Sequence, residues 1–289
     1  MEPSRTGPFP FTPINRRPKL TWPNGARVAF WLIPNIEVFP LNEPVPGGTG
    51  VAPDIINWAP RDYGARIGIY RMMEVMEKYG VRGTVALNSE VCDDYPEIIE
   101  DAMALNWEFM GHNHSNSRYL HTMGKDEGRE LVLSTFDRIE KATGVRPKGW
   151  LSSGLQENWH TLDDLIEAGA TYVADWINDD QPYLMDLGGK SIASIPYSGE
   201  INDIPQVLRG GHTADAFADM AKRQFDTLYR EGAESGRVMA MALHPFITGV
   251  PHRISAFDSA LEYITSHDDV WLATGSEIID HYLNSGSTF

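Results

Sequence analysis

The sequence lacks three features that would assign a chain to a class at once. Among 289 residues there is one cysteine, Cys92, which excludes an intramolecular disulfide framework and a zinc site built from several cysteines. No apolar run approaches the ~20 residues that span a bilayer. No charged, then apolar, then small-residue signal opens the chain. We therefore expect a cytoplasmic protein with no membrane partner.

Positive charge is also scarce. The chain has 24 Lys and Arg against 40 Asp and Glu, which gives a net charge of −16. Binding to nucleic-acid phosphates requires clustered Lys and Arg, and no basic run occurs here. Nucleic acid and anionic membrane surfaces are thus not expected partners, and the charge favours solubility.

What is present is an ordinary globular composition after a proline-rich start. Hydrophobic residues make up 42% and charged residues 22% of the chain. Repeated prolines in residues 1–24 disfavour helices and sheets there, so an extended arm is predicted. Such an arm either contacts a neighbouring subunit, in a homodimer or homotetramer, or frays. Residues 25–289 show no linker and are predicted to form one domain.

Short apolar segments alternate with amphipathic ones along residues 25–289, which predicts parallel strands joined by crossover helices. The predicted strands are 27–34, 83–88, 107–110, 148–152, 171–175, 191–197, 237–243 and 269–274. The predicted helices are 64–80, 95–106, 125–144, 161–169, 213–235, 253–267 and 276–283. Seven or eight such units indicate a single closed or nearly closed α/β barrel. Residues 40–64 form a long insertion after the first strand, where loops usually shape the mouth of a site.

Polar residues follow the carboxyl ends of these predicted strands. In a parallel barrel those ends share one face, so the side chains should converge. The series is Asn35, Glu37, Asn88, Glu90, His112–Ser117, Ser152, Ser153, Asp175–Asp180, Glu200, Asn202, Asp203 and His244. The series as a whole, rather than any one member, predicts a site.

Two members of the series suit acid–base chemistry. His244 follows a wholly apolar strand and is a candidate general acid, because an imidazole titrates near neutral pH. A strand-capping histidine is the alternative. Glu37 also ends an apolar strand, where a carboxylate tends to be metal-bound, pKa-shifted or paired. A structural ion pair with Arg66 or Arg71 is equally consistent with that position.

The segment EFMGHNHSNSR (108–118) is the third candidate. Its two histidines, His112 and His114, share a face of an extended segment, while His112 and Asn116 align only on a helix. Zinc prefers imidazole and carboxylate ligands, and the asparagine oxygen is a weak ligand by comparison. A metal site and a hydrogen-bonded turn both fit this segment.

Further residues are predicted to contact a substrate. Flat apolar walls for a small ring come from Trp150, Trp176 and Tyr197. Contacts to the polar edge of the substrate are assigned to Asp179, Asp180, Asn202 and Asp203. A solvated turn also explains the segment DWINDDQPY (175–183).

The order of these motifs resembles the polysaccharide deacetylase superfamily, or carbohydrate esterase family 4, over roughly residues 25–280. The resemblance implies a single distorted (β/α)7 barrel. The family's Asp-Asp pair is replaced by Ile36 and Glu37, and its histidine motif by Glu108, His112 and Asn116. Trp150 stands where the family has an arginine, and His244 matches the final histidine.

Several segments are more similar to an allantoinase-like and cyclic-imide-hydrolase-like branch of that superfamily. These are PNIEVFP, GHNHSNSR, WINDDQPY and PYSGEINDIP. The branch implies hydrolysis of a carbon–nitrogen bond in a small cyclic amide, ureide or imide. Catalysis would fall to Glu37, His112 and His244.

The resemblance leaves the metal open. Glu37, His112 and Asn116 would hold a divalent ion such as zinc weakly, or a metal-free reaction would rely on a Glu37 whose pKa is raised. Glu37 is then a ligand or the base. The alternative functions are a metal-dependent deacetylase of N-acetylated sugars and a non-catalytic binding relative. All three predict a small or carbohydrate ligand at the same face.

Overall fold

The computed structural model describes residues 3–289, so the first two residues of the predicted arm lie outside it. A nine-stranded sheet organises the chain. Its strands are β1 (Val28–Ile36), β2 (Thr84–Leu87), β3 (Glu108–Gly111), β4 (Gly149–Trp150), β5 (Tyr172–Val173), β6 (Tyr183–Asp186), β7 (Ser191–Ser194), β8 (Arg237–Leu243) and β9 (Val270–Leu272). The α-helices of residues 3–289 are α1 (Ile55–Tyr63), α2 (Ile69–Lys78), α3 (Val91–Asp94), α4 (Pro96–Ala104), α5 (Lys125–Thr143), α6 (Thr161–Ala168), α7 (Ala214–Gly232), α8 (Pro245–Thr248), α9 (Ile254–Thr265) and α10 (Gly275–Asn284).

The sheet curls into a distorted barrel, as the alternating pattern predicts. Its strand order is β6-β7-β5-β4-β3-β2-β1-β8, with β9 also paired to β1. All pairings are parallel except β6 with β7. Two backbone bonds draw β8 back toward the other end of the sheet: the Val238 amide donates to the Asp180 carbonyl, and the Ala242 amide donates to the Ile201 carbonyl, both at 2.9 Å. The predicted (β/α)7 barrel is confirmed.

Most predicted elements are present, with informative exceptions. The eight predicted strands all exist, although β4 and β5 are only two residues long. Strand β6 was missed, because a short antiparallel hairpin partner lacks the helix that marks a parallel strand. The insertion at 40–64 contains helix α1, which continues through a wider helical turn at Gly64–Gly68 into α2.

Both faces of the sheet are covered, which explains why its strands are apolar throughout. Every residue of β1 is buried. Ala29, Trp31 and Ile33 belong to the interior of the barrel, whereas Phe30 and Leu32 pack with residues of helices α2 and α9 outside it. Strand alternation thus divides the core into an inner and an outer layer. No helix within residues 3–289 is long and apolar enough to cross a membrane.

The arm lies on the barrel of its own chain. Residues 3–24 contain only short 3₁₀ turns, yet Leu20 and Trp22 are buried against the inner core. Arg17 makes two hydrogen bonds of 2.6 Å to the Asp179 carboxylate. Phe9 packs edge-on against Trp176 at 5.4 Å between ring centroids. The described part of the arm is therefore bound to the barrel of its own chain.

Candidate active site

Three side chains that are far apart in the sequence meet at the carboxyl end of the sheet. The Glu37 Oε1 atom lies 3.4 Å from the His112 Nε2 atom and 3.6 Å from the His244 Nε2 atom. Only 4–6% of each side chain is exposed. The structure thus brings Glu37, His112 and His244 together, as the sequence predicts.

The sheet itself brings these residues together. Glu37 follows β1, His112 follows β3, and His244 follows β8 and precedes α8. Strands β1 and β8 are neighbours in register from Val28 and Arg237 to Pro34 and Leu243. Parallel register therefore fixes the height at which each side chain leaves the sheet.

His112 has its tautomer set by the backbone. Its Nδ1 atom lies 2.6 Å from the Leu151 carbonyl oxygen, which can only accept, so Nδ1 carries a proton. In the neutral ring the Nε2 atom, which faces Glu37, then carries the lone pair. This nitrogen is able to accept a proton from a bound water.

Asn116 reaches the site without a helix. The chain turns after His112 through Asn113, whose φ of 56° is a left-handed conformation that asparagine tolerates. The Asn116 Nδ2 atom then donates to Glu37 Oε1 at 2.5 Å. His114 points elsewhere, with Nε2 2.9 Å from the Ser134 hydroxyl. Burial and nearby arginines lower the pKa of His114 to about 4.

His244 is held by a buried carboxylate. Asp203 accepts from the His244 Nδ1 atom at 2.6 Å and from the His244 backbone amide at 2.8 Å. The Thr248 hydroxyl donates to the same carboxylate at 2.7 Å. Asp203 was predicted to contact the substrate, and this is corrected: it is fully buried behind His244.

The charges of the cluster stabilise one another. Burial alone would lower the pKa of His244, but the negative charges of Asp203 and Glu37 outweigh it and raise this pKa to about 10. Burial would raise the pKa of Glu37, yet the positive charge of His244 and the polar contacts with both histidines lower it to about 2. At neutral pH the cluster therefore contains an anionic Glu37 and a cationic His244. The prediction of a raised Glu37 pKa is wrong.

The side chains do not fit a tightly held divalent ion. Within residues 3–289, no three His, Cys, Asp or Glu side chains are arranged to hold a metal. His244 is cationic, and Asn116 directs an N–H rather than an oxygen at Glu37. Of the predicted ligands Glu37, His112 and Asn116, only the first two present metal-binding lone pairs to a common point.

Glu37 forms no ion pair with the two arginines proposed as structural partners. Arg66 binds Asp62 at 2.5 Å, and Arg71 donates to the Tyr63 hydroxyl and to the Gly249 carbonyl. The structural alternative for Glu37 is therefore wrong. Its neighbours are the residues of the cluster.

The predicted substrate residues separate into two groups. Tyr197 lies near the cluster. Burial raises the pKa of its hydroxyl, and the negative charge of Glu37 raises this pKa further. Asn202 donates a hydrogen bond to the same hydroxyl at 3.4 Å. Trp150 is instead a core residue, fully buried and stacked on Phe136 at 5.8 Å. Trp176 is taken up by the arm and by Glu157, to which its Nε1 donates at 2.9 Å.

Asp179 and Asp180 lie away from the cluster. Asp179 is bonded to Arg17 of the arm and to the amides of Asp180 and Gln181. Both aspartates line a cavity of about 740 Å³ beneath the arm. That cavity includes Tyr197 but none of Glu37, His112 and His244. We do not assign the reaction to this cavity, because it lies apart from the cluster of Glu37, His112 and His244.

Sequence reasoning missed a pair of carboxyl groups beside His112. Asp175 accepts from the Ser152 amide at 2.7 Å and from the Ser152 hydroxyl at 2.6 Å. Burial raises the pKa of Glu157 well above its usual range, and the adjacent Asp175 raises it further. Glu157 therefore lies beside an Asp175 that holds the loop after β4. Nothing in the sequence pairs these two residues.

Arg61 of helix α1 was also missed. Its guanidinium lies 4.6 Å from the ring centroid of Phe39 and 4.9 Å from that of Phe246. These three side chains line a narrow cleft together with Glu37 and Asn35. The insertion at 40–64 thus contributes Arg61 to the cleft that Glu37 lines. The sequence of the insertion predicts a loop at this position, but it does not indicate that Arg61 is the residue that lines the cleft.

Comparison with known proteins shows similarity to polysaccharide deacetylases. A family model described as Polysaccharide deacetylase matches residues 62–173. A polysaccharide deacetylase homologue of Schizosaccharomyces pombe is 27% identical over 234 residues, 75% of this chain and 73% of that protein.

Two solved structures are similar over nearly the whole chain. The PuuE allantoinase superposes with a TM-score of 0.84 at 26% identity, over 93% of this chain and 94% of that one. A polysaccharide deacetylase homologue from Pseudomonas aeruginosa PAO1 gives a TM-score of 0.84 at 25% identity, over 93% and 95%. Both the family motifs and the whole fold are thus found in known proteins.

Proposed function

We propose that this chain, which matches the polysaccharide deacetylase family model over residues 62–173 and has an allantoinase among its structural neighbours, hydrolyses a carbon–nitrogen bond in a small cyclic amide, ureide or imide. The observation that carries the proposal is the buried cluster in which His112 and His244 both lie within 3.6 Å of Glu37, with side chains only 4–6% exposed. Amide hydrolysis needs an acid for the leaving nitrogen and an acceptor for the proton of water, and this cluster has both.

Activation of water falls to His112 together with Glu37. A water between them would donate one hydrogen to Glu37 Oε1 and the other to the His112 Nε2 lone pair. Glu37 alone is a weak base, since its pKa is about 2. We therefore assign proton acceptance to His112 and orientation of the water to Glu37. The new bond joins the water oxygen to the substrate carbonyl carbon.

Departure of the nitrogen falls to His244. Its Nδ1–H is bound to Asp203, so the proton available for transfer is on Nε2, which faces Glu37. Transfer of that proton to the nitrogen breaks the carbon–nitrogen bond and opens the ring. The proton taken up by His112 returns to His244 through solvent, which restores both residues. Asp203 stabilises the cationic form throughout.

A small substrate suits the shape of the site better than a polymer. The three side chains are almost completely buried, and Glu37 is reached through a narrow cleft that Arg61, Phe39 and Phe246 also line. A polysaccharide deacetylase would require an open groove for several sugar units. The family description nonetheless makes N-acetylated sugars the second candidate substrate.

One panel of assays tests the proposal. Ring opening of hydantoin, succinimide, glutarimide and allantoin is followed beside acetate release from N-acetylglucosamine oligomers. We expect ring opening, with a loss of at least about 10²-fold in the His244→Ala and His112→Gln variants. His114→Gln is the matched control, because His114 faces Ser134 and should leave the rate unchanged. Acetate release without ring opening would establish the deacetylase, and ligand binding without turnover would establish a binding relative.

A further inference from the structure

Arg61 has hydrogen-bonding capacity that the protein does not use. An arginine carries five N–H donors. One bond is recorded, from Nη1 to the Asn57 carbonyl at 2.6 Å, and the buried Nε atom has no partner. Within residues 3–289 no carboxylate lies within 4.0 Å of its guanidinium. Buried donors are satisfied in most proteins, so the exception needs a reason.

The surroundings of Arg61 fix its direction. The rings of Phe39 and Phe246 lie over the guanidinium at 4.6 Å and 4.9 Å. Aromatic rings at these distances favour the cation and immobilise it. The Nε–H group of this guanidinium is left without an acceptor in the protein. The edge that carries it is suited to a planar oxygen acceptor, which arginine binds through two parallel hydrogen bonds.

Arg61 shares a narrow cleft with Glu37 of the acid–base cluster. Glu37 lines it from the end of β1, and Phe246 joins the two parts, since its ring lies 5.9 Å from the His244 ring. Arg61 is close enough to Glu37 for their charges to interact, but the two are not bonded. The cleft between them has a volume of only about 10 Å³, so a substrate ring enters it only when the side chains that line it move apart.

We infer that Arg61 binds an oxygen of the substrate remote from the bond being cut, so that the substrate class is a small ring with two carbonyl oxygens, or the carboxylate formed from it. This inference rests on the proposed function for its reaction, but not for its binding. One carbonyl faces the water held by His112 and Glu37, and the second faces Arg61. Rings with one carbonyl would lack the second contact.

A matched pair of ligands tests this. Succinimide and 2-pyrrolidinone are five-membered rings that differ by one carbonyl oxygen. Equilibrium binding of each is measured by calorimetry, and KM from initial rates replaces Kd where a ring is turned over. We expect the protein to bind succinimide about 10- to 100-fold more tightly, as a charge-assisted hydrogen bond implies. The Arg61→Met variant should bind the two rings about equally.

Two further variants make the result decisive. Arg66→Met is the control, because Arg66 lies five residues along the same helical segment, is exposed, and binds Asp62. It should keep the discrimination. Arg61→Lys, which keeps the charge without the planar fork, should recover part of it and also serves if Arg61→Met fails to fold.

The outcomes separate the inference from the proposed function. Discrimination that is lost in Arg61→Met without any ring opening supports the inference and defeats the proposed function. Ring opening with the same discrimination in Arg61→Met and Arg61→Lys overturns the inference and leaves the function in place. Equal affinity for the two rings in the unmodified protein, or no binding of either, also overturns the inference.

Discussion

The Asp203 carboxylate binds His244 at two points, the Nδ1 atom at 2.6 Å and the backbone amide at 2.8 Å. One aspartate therefore fixes the position, the tautomer and the charge of the proposed acid. We expect Asp203→Asn to remove much of the attraction that raises the pKa of His244. The alkaline limb of the pH–rate profile should then move to lower pH, and the rate at pH 8 should fall about 10²-fold.

Thr248→Val provides the control for that variant, since it removes one hydrogen bond to Asp203 but no charge. Its pH–rate profile should keep the alkaline limb of the unmodified protein. An Asp203→Asn protein whose alkaline limb does not move would show that His244 does not donate the proton.

The raised pKa of His244 also links folding stability to pH. The folded pKa is about 10 and the ordinary value is 6.5, so between these values the folded protein binds more protons than the unfolded chain. This contribution is complete below pH 6.5 and is lost as the pH rises through 10. Urea unfolding at pH 6.5 and pH 9.5 should show a decrease in the free energy of unfolding with rising pH. The decrease should be smaller in His244→Gln; equal decreases in both proteins would contradict it.

Metal removal should have little effect on the reaction. Only Glu37 and His112 present suitable lone pairs, while Asn116 directs an N–H at Glu37. We expect less than one equivalent of zinc in protein purified without added metal, and unchanged ring opening after dialysis against a chelator. Stoichiometric zinc, with activity that is lost on chelation and restored by zinc, would contradict this expectation.

Trp150 should matter for stability rather than for substrate binding. It is fully buried, stacked on Phe136, and donates to the Ser152 hydroxyl at 2.9 Å. Trp150→Ala should lower the free energy of unfolding by about 3–5 kcal/mol, as for other large core truncations. Trp150→Phe should be milder and should leave KM unchanged. Trp159→Ala is the control, since that ring is 45% exposed. A raised KM for Trp150→Phe with unchanged stability would restore the predicted role as a substrate wall.

The pair formed by Arg17 and Asp179 should hold the arm on the barrel. Their side chains are only 10% and 11% exposed, and removal of one partner from a buried pair costs up to about 3–5 kcal/mol. Asp179→Asn should therefore increase the rate of trypsin cleavage near Arg16 and Arg17. Glu234→Gln, at the exposed pair with Lys19, should not. Equal cleavage rates in all three proteins would show that other contacts hold the arm.

The sequence sufficed for those features of the fold that depend on periodicity. Apolar strands and amphipathic helices located β1, β8 and most helices to within a few residues, and the parallel-barrel rule then brought Glu37, His112 and His244 together. Strand β6 was not predicted, because it is short and pairs with β7 in the antiparallel direction.

The features of the site that depend on contacts between particular side chains were not predicted. Asp203 was recognised as a strand-end acid, but its burial behind His244 depends on the loop after β7. Trp150 was expected at the mouth, yet the pleat of a two-residue strand directs it outward against α5. Arg61 has no motif, and its role follows only from the folding of α1 over the cleft. Pairings between distant segments leave no periodic signal in a single sequence.

The arm also protects the end of the sheet. Strand β6 has β7 on one side only, and its outward amides at Leu184 and Asp186 donate to the carbonyls of Phe289 and Pro8. Unpaired edge amides of this kind are templates on which another chain can add a strand. The segments around Phe289 and Pro8 bind these amides and thus oppose aggregation through this edge. Any cleavage or fusion that detaches residues near Pro8 would leave this edge open to other molecules.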